Sequence, residues 1–149
     1  MNKFLFLLFL NVSIFGDLKA AMEIPTEDNR TPILLSKEEK VVALFEMRTF
    51  VEALNGIFRS MANNDFTEAA KFARSSGMAV PQNILGVHPE IIGKLPLGVK
   101  FMGMQTHRQF DQLAKILEKK EAPEKIYQKL GEVTNNCVAC HRAYRFEEI

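Results

Sequence analysis

The chain has 149 residues, of which 47% are hydrophobic and 25% charged, with a net charge of +1 and two cysteines. That balance fits one globular domain around a single core and requires no second domain. A near-neutral charge also excludes functions driven by a basic excess, such as binding to nucleic acid or to an anionic membrane surface.

In chain order, Lys3 precedes an apolar run from Phe4 to Phe15, and small residues follow at Ala20 and Ala21. This is the build of a secretory signal peptide over residues 1–21. The run is broken by Asn11 and Ser13 and falls short of the ~20 apolar residues that a spanning helix needs, so no membrane span remains after processing. Cleavage would remove Lys3, Lys19 and Asp17 and leave a neutral, exported chain, which in a bacterial cell means the periplasm. Residues 22–35, with Pro25 and Pro32 and no periodicity, predict an extended lead-in that packs loosely. The folded domain is expected over 36–149.

Ser36 and Glu39 form a capping box that opens a helix running to about Ala62. Met47, Phe50, Leu54, Ile57 and Met61 supply its buried stripe, widened by Leu44, Val51 and Phe58. Asp65 and Glu68 form a second capping box, for a helix that reaches Ser76, and Gly77 supplies its stop. From Met78 to Pro96 three prolines and two glycines predict an irregular connection with at most one turn near Glu90–Ile92. A third helix is expected over Leu97–Lys119, with Gly98 and Gly103 allowing the close approach of something flat. Pro123 opens a fourth, whose stripe runs Ile126, Leu130, Val133, Cys137, Cys140 and Tyr144. Four helices joined in this way predict an all-α, antiparallel up-down-up-down four-helix bundle.

The chemistry is concentrated in Cys137-Val138-Ala139-Cys140-His141, the attachment signature of c-type haem. Spaced by three on a helix, both thiols share a face and reach the two vinyl groups of one porphyrin, and His141 can turn its imidazole to the iron. A thioredoxin-like dithiol would need a strand before the motif and a helix after it. A zinc site would need further ligands, and His88 and His107 are the other histidines. A disulfide between residues three apart on a continuous helix has poor geometry. Covalent haem, one per chain, is therefore the expectation.

A haem motif at the end of the last of four helices, followed by Tyr144 and Arg145, resembles the class II c-type cytochromes, the group of cytochrome c prime and its low-spin relatives. The resemblance implies haem c bound by Cys137 and Cys140, His141 as one axial ligand, and Tyr144 and Arg145 close to the haem. In that family the other axial position is either open, as in members that bind NO or CO, or filled by a first-helix methionine, for which Met47 is the match. Met61, Met102, Met104 and His107 are rival ligands, with Met61 ranked below Met47. His88 is expected to be exposed. The family's arginine one turn before the distal residue is Ala43 here, which leaves Arg48, Lys100 and Arg108 as candidates to meet the propionates. The resemblance also implies a homodimer through the first two helices. No carboxylate pair, serine–histidine array or phosphate-cradling loop suggests an enzyme. The expected function is electron transport between redox partner proteins, and its alternative is a five-coordinate haem protein that binds or senses NO or CO.

Overall fold

The computed structural model describes residues 26–149, so the signal-peptide reading and the start of the lead-in lie outside the described residues. The fold is mostly helical, as the sequence predicts. Its elements are β1 (Thr31–Leu35), α1 (Lys37–Ala62), α2 (Phe66–Arg74), α3 (Ala79–Val87), α4 (Pro89–Lys94), α5 (Leu97–Glu118), α6 (Pro123–Ala143) and β2 (Tyr144–Glu148).

Local chemistry sets most of these boundaries. The Ser36 hydroxyl accepts from Glu39 N at 3.3 Å and Ser36 N donates to the Glu39 carboxylate at 2.7 Å, so the α1 capping box is complete. Asp65 accepts from Glu68 N at 2.9 Å and starts α2. That helix stops at Arg74, before the predicted Ser76. Gly77 is not a left-handed stop either, since no described glycine has positive φ. Its lack of a side chain serves a close approach, because a Cβ there would lie 2.1 Å from Asp111 Oδ1, and Asp111 Oδ2 accepts from Met78 N at 3.0 Å.

The stretch expected to be irregular holds two short helices. Pro81 is the third residue of α3, and Pro89 opens α4, positions in the first turn where a missing N–H costs no helical hydrogen bond. Pro96 then caps α5. These prolines start helices here; they do not interrupt one.

The lead-in is extended but not loose. β1 pairs in parallel with β2, from Thr31 opposite Tyr144 to Leu35 opposite Glu148. Ile33 and Leu35 point inward, 3% and 0% exposed, while Leu34 between them is 48% exposed. Tyr144 accordingly belongs to a strand and not to the stripe of the last helix: its φ of −130° and ψ of 153° are extended.

α2 packs against both α1 and α5, and α5 packs against α6. One core joins Ala53 and Ile57 of α1, Ala69, Ala70 and Ala73 of α2, Phe110, Leu113, Ala114 and Leu117 of α5, and Ile126, Leu130 and Val133 of α6. Alanines on α2 let the axes come close, and Gly56 of α1 takes this further, since a Cβ there would meet the Phe72 ring at 2.3 Å. The predicted α1 stripe is narrower than expected: Val51 and Phe58 face outward, 67% and 51% exposed. The core therefore takes the second halves of α1 and α5 and the first half of α6.

Leu35→Ala is expected to destabilise the protein by about 2–5 kcal/mol through the cavity it leaves, and Leu34→Ala by no more than about 0.5 kcal/mol. Urea denaturation of both variants checks this, and equal losses would mean that β1 does not pack as described.

Candidate functional site

Where the core ends, the helices open. The first half of α1 (Val42, Ala43, Glu46, Met47, Phe50), the first half of α5 (Val99 to His107) and the second half of α6 (Asn136, Cys137, Cys140, His141) line a cavity of about 250 Å³. Ile91 and Ile92 of α4 and Leu95 just after it also line the cavity, and Phe146 of β2 adds an aromatic side chain. Apolar side chains dominate the lining, and its few polar groups are concentrated at Glu46, Lys100, Thr106, His107, Asn136 and His141.

The predicted residues meet here. Cys137, Cys140, His141 and Met47 all line this one cavity, although Met47 and His141 come from helices that are not among the closely packed pairs. Cys137 and Cys140 are free and half-buried, while His141 is exposed at the rim. Burial pushes both thiols above the usual cysteine range, and a charge on Cys137 would push Cys140 further. The Cys137 thiol donates weakly to the Val133 carbonyl at 3.8 Å. Among the described residues no group of three or more His, Cys, Asp or Glu side chains is gathered to hold a bare metal ion. The two thiols and the imidazole lie along a wall, where a larger group could meet all three.

The rivals separate by position. Met61 packs against the core, whereas Met102 and Met104 line the cavity. His107 is 2% exposed and both its ring nitrogens are engaged, Nδ1 with the Ser76 carbonyl at 2.8 Å and Nε2 with Glu46 Oε1 at 3.0 Å. His88, expected to be exposed, is half-buried beside Glu90 and lies outside the lining. Lys100 lines the cavity, while Arg48 and Arg108 are exposed and do not.

Tyr144 and Arg145, expected beside the haem, are not in the lining. Tyr144 covers Gly98, where a Cβ would lie 2.9 Å from its hydroxyl, so the flat group approaching that glycine is a tyrosine of the chain itself. Arg145 pairs with Glu147 at 2.6 Å, and strand geometry directs it there. Gly103 is different: it lines the cavity, and a Cβ there would meet nothing within 4 Å.

No family model, curated protein or solved structure matches this chain.

Two contributors escaped the sequence reading. Phe146 enters the cavity only because β2 turns away from the line of α6. Arg30 donates to the His141 carbonyl at 3.2 Å and so holds the end of α6, while Asp28 grips its guanidinium at 2.7 and 2.8 Å. That grip lowers the Asp28 carboxyl to about 2, so the pair persists until strongly acid pH. An Asp-x-Arg ahead of the first strand carries no signal of a partner so distant in sequence. Among the described residues no helix is long and apolar enough to cross a membrane.

Because burial raises both thiols, Cys137 and Cys140 of the haem-free folded protein should react with iodoacetamide more slowly at neutral pH than the same cysteines in denaturant. The gap should close as the pH rises and the thiolates form. Equal rates at neutral pH, folded and denatured, would contradict the placement of the thiols against an apolar wall.

Proposed function

We propose that this chain is an exported, periplasmic monohaem c-type cytochrome that carries single electrons between redox partner proteins. The observation that carries the reading is the meeting of Cys137, Cys140, His141 and Met47 in one apolar cavity. The donor set suits haem c: two thiols to form thioethers, an exposed imidazole and, from α1, a soft thioether sulfur in the same lining. The open space beside Gly103 and the apolar walls from α1, α4 and α5 suit a flat hydrophobic macrocycle. Lys100, the cation in the lining, is suited to meet a propionate.

When bound, haem would supply a one-electron couple. The chain's part would be to hold it through Cys137 and Cys140, to offer His141 and Met47 to its iron, and to exclude water with Phe50, Ile91, Val99 and Phe146. Two soft or borderline ligands that stay in place keep reorganisation small, and thioether ligation favours the ferrous state. This is the work of an electron carrier and not of an enzyme. The packing of α1 on α2, α2 on α5 and α5 on α6 is consistent with an up-down-up-down four-helix bundle, with α3 and α4 as an elaborated connection. Leu44, Val51 and Phe58, spaced by seven on α1, supply an apolar line, exposed at Val51 and Phe58, for a homodimer through α1 and α2.

Optical spectra of protein purified from cells able to mature c-type cytochromes test the reading. The expected result is a low-spin ferrous spectrum that carbon monoxide leaves unchanged, and Met47→Ala should open the iron to the gas. A wild-type spectrum that shifts with carbon monoxide would transfer the reading to a five-coordinate protein that binds NO or CO. A complete lack of haem bands would refute it. In the attachment test, the double variant Cys137→Ala/Cys140→Ala should lose any bound haem to acidified organic solvent, and undiminished retention in it would refute thioether attachment.

A further inference from the structure

We infer that His107 is a positioning residue for Met47: a buried bridge from Ser76 through His107 to Glu46 sets the rotation of α1 at the turn that carries Met47. The inference rests on the cytochrome reading above.

His107 sits on α5 in an apolar wall, 2% exposed, where any imidazole must find partners or incur a desolvation cost. It finds two. The Ser76 carbonyl can only accept, so Nδ1 carries a hydrogen and donates to it at 2.8 Å. On the other side of the ring, Nε2 and Glu46 Oε1 share a hydrogen bond at 3.0 Å. Ser76 is itself fully buried, and its hydroxyl donates to the Thr49 carbonyl at 3.4 Å. The network thus holds α1 at Glu46 and at Thr49, one residue before Met47 and two after it. Phe50 completes the contact, its ring centroid 4.9 Å from that of His107 and stacked 5.6 Å from Phe110.

Directional bonds matter at this turn because α1 has little of its own chain to grip on its outer side. Phe45 and Val51 are 59% and 67% exposed, so resistance to rotation comes from the inner face. A helix with side chains is ~10–12 Å across, so turning it by about 20° moves a side-chain atom at its edge by about 2 Å. That is about the length of a whole metal–ligand bond, ~2.0–2.3 Å. Apolar packing would fill the same space without fixing the angle, whereas a histidine bonded to a carboxylate and to a backbone carbonyl fixes it. The same two bonds keep both ring nitrogens of His107 occupied, which favours Met47 over His107 as the ligand.

Glu46 is part-exposed on a helix, so its replacement leaves the fold intact and makes the decisive variant. Glu46→Ala should keep covalent haem and wild-type helix content in circular dichroism. Most of its ferrous form should nevertheless bind carbon monoxide, and its reduction potential should fall as the thioether is lost. Glu46→Gln, whose side-chain amide can donate to a bare Nε2 or accept from a protonated one, should restore the wild-type spectrum. His107→Phe should behave as Glu46→Ala does.

If Glu46→Ala ignores carbon monoxide and keeps the wild-type potential, the inference is overturned, whatever His107→Phe does. It is also overturned if Glu46→Gln behaves like Glu46→Ala, since charge and not the hydrogen bond would then be the cause. A wild-type protein without haem, or a Met47→Ala spectrum identical to wild type, is a separate result. Either would overturn the cytochrome reading or its ligand, and this inference with it.

Discussion

The architecture depends on a change of packing partway along three helices, each closed into the core over one half and lining the cavity over the other. On α6, Ile126, Leu130 and Val133 fill the core, and beyond them come Asn136 and the two cysteines, which are smaller or polar. On α5 the change runs the other way, from Val99, Gly103 and Thr106 to Phe110, Leu113 and Leu117. α1 follows α5, with Ala43, Glu46 and Met47 on the cavity ahead of Ala53 and Ile57 in the core. Side chains therefore close against one another at one end and leave space between the helices at the other. Close packing at the first end is what keeps the second end open.

The short α2 makes this possible. It has nine residues against the 26 of α1, so it supports the packed end and does not run on beside the cavity. α3 and α4 take over there, and α4 is held by one directional contact. Lys94 Nζ donates to Glu39 at 2.7 Å, the same carboxylate that completes the α1 cap. Lys94 and the Ser36 N–H together hold Glu39 below the usual carboxylate range, so this link is charged at any ordinary pH. One buried carboxylate thus starts a helix and fastens the cover of the cavity.

Legibility in the sequence followed the range of the interactions. Features set by neighbours in the chain could be read directly: the Ser36–Glu39 box, the Asp65 cap, the α6 stripe from Ile126 to Cys140, and the motif itself. The prolines at 81, 89 and 96 misled because the same residue that breaks a helix interior is tolerated in its first turn, and composition does not distinguish the two. Tyr144 continued the four-residue spacing of α6, and only pairing with the remote β1 reveals that the helix has already ended. Glu46 drew no reading and His107 stood only as a rival ligand, since nothing local joins α1 to α5. The site residues held by spacing, Cys137, Cys140 and His141, share one cavity with Met47, whereas Tyr144 and Arg145, placed by resemblance, lie outside its lining.

The two strands also order events in time. β1 and β2 run in parallel and every described helix lies between them in sequence, so their hydrogen bonds close a loop that contains the whole helical assembly. Parallel strands this far apart meet slowly, because chain entropy opposes the closure until other contacts have drawn the ends together. Helix formation and packing of the core are therefore expected to come first, with the clasp following. During that interval the second half of α6 is not yet tied to Arg30 and β1, and the segment bearing Cys137 and Cys140 is at its most accessible. Formed in that order, the clasp would be a finishing step that ties down the end of α6 only after the helices have packed.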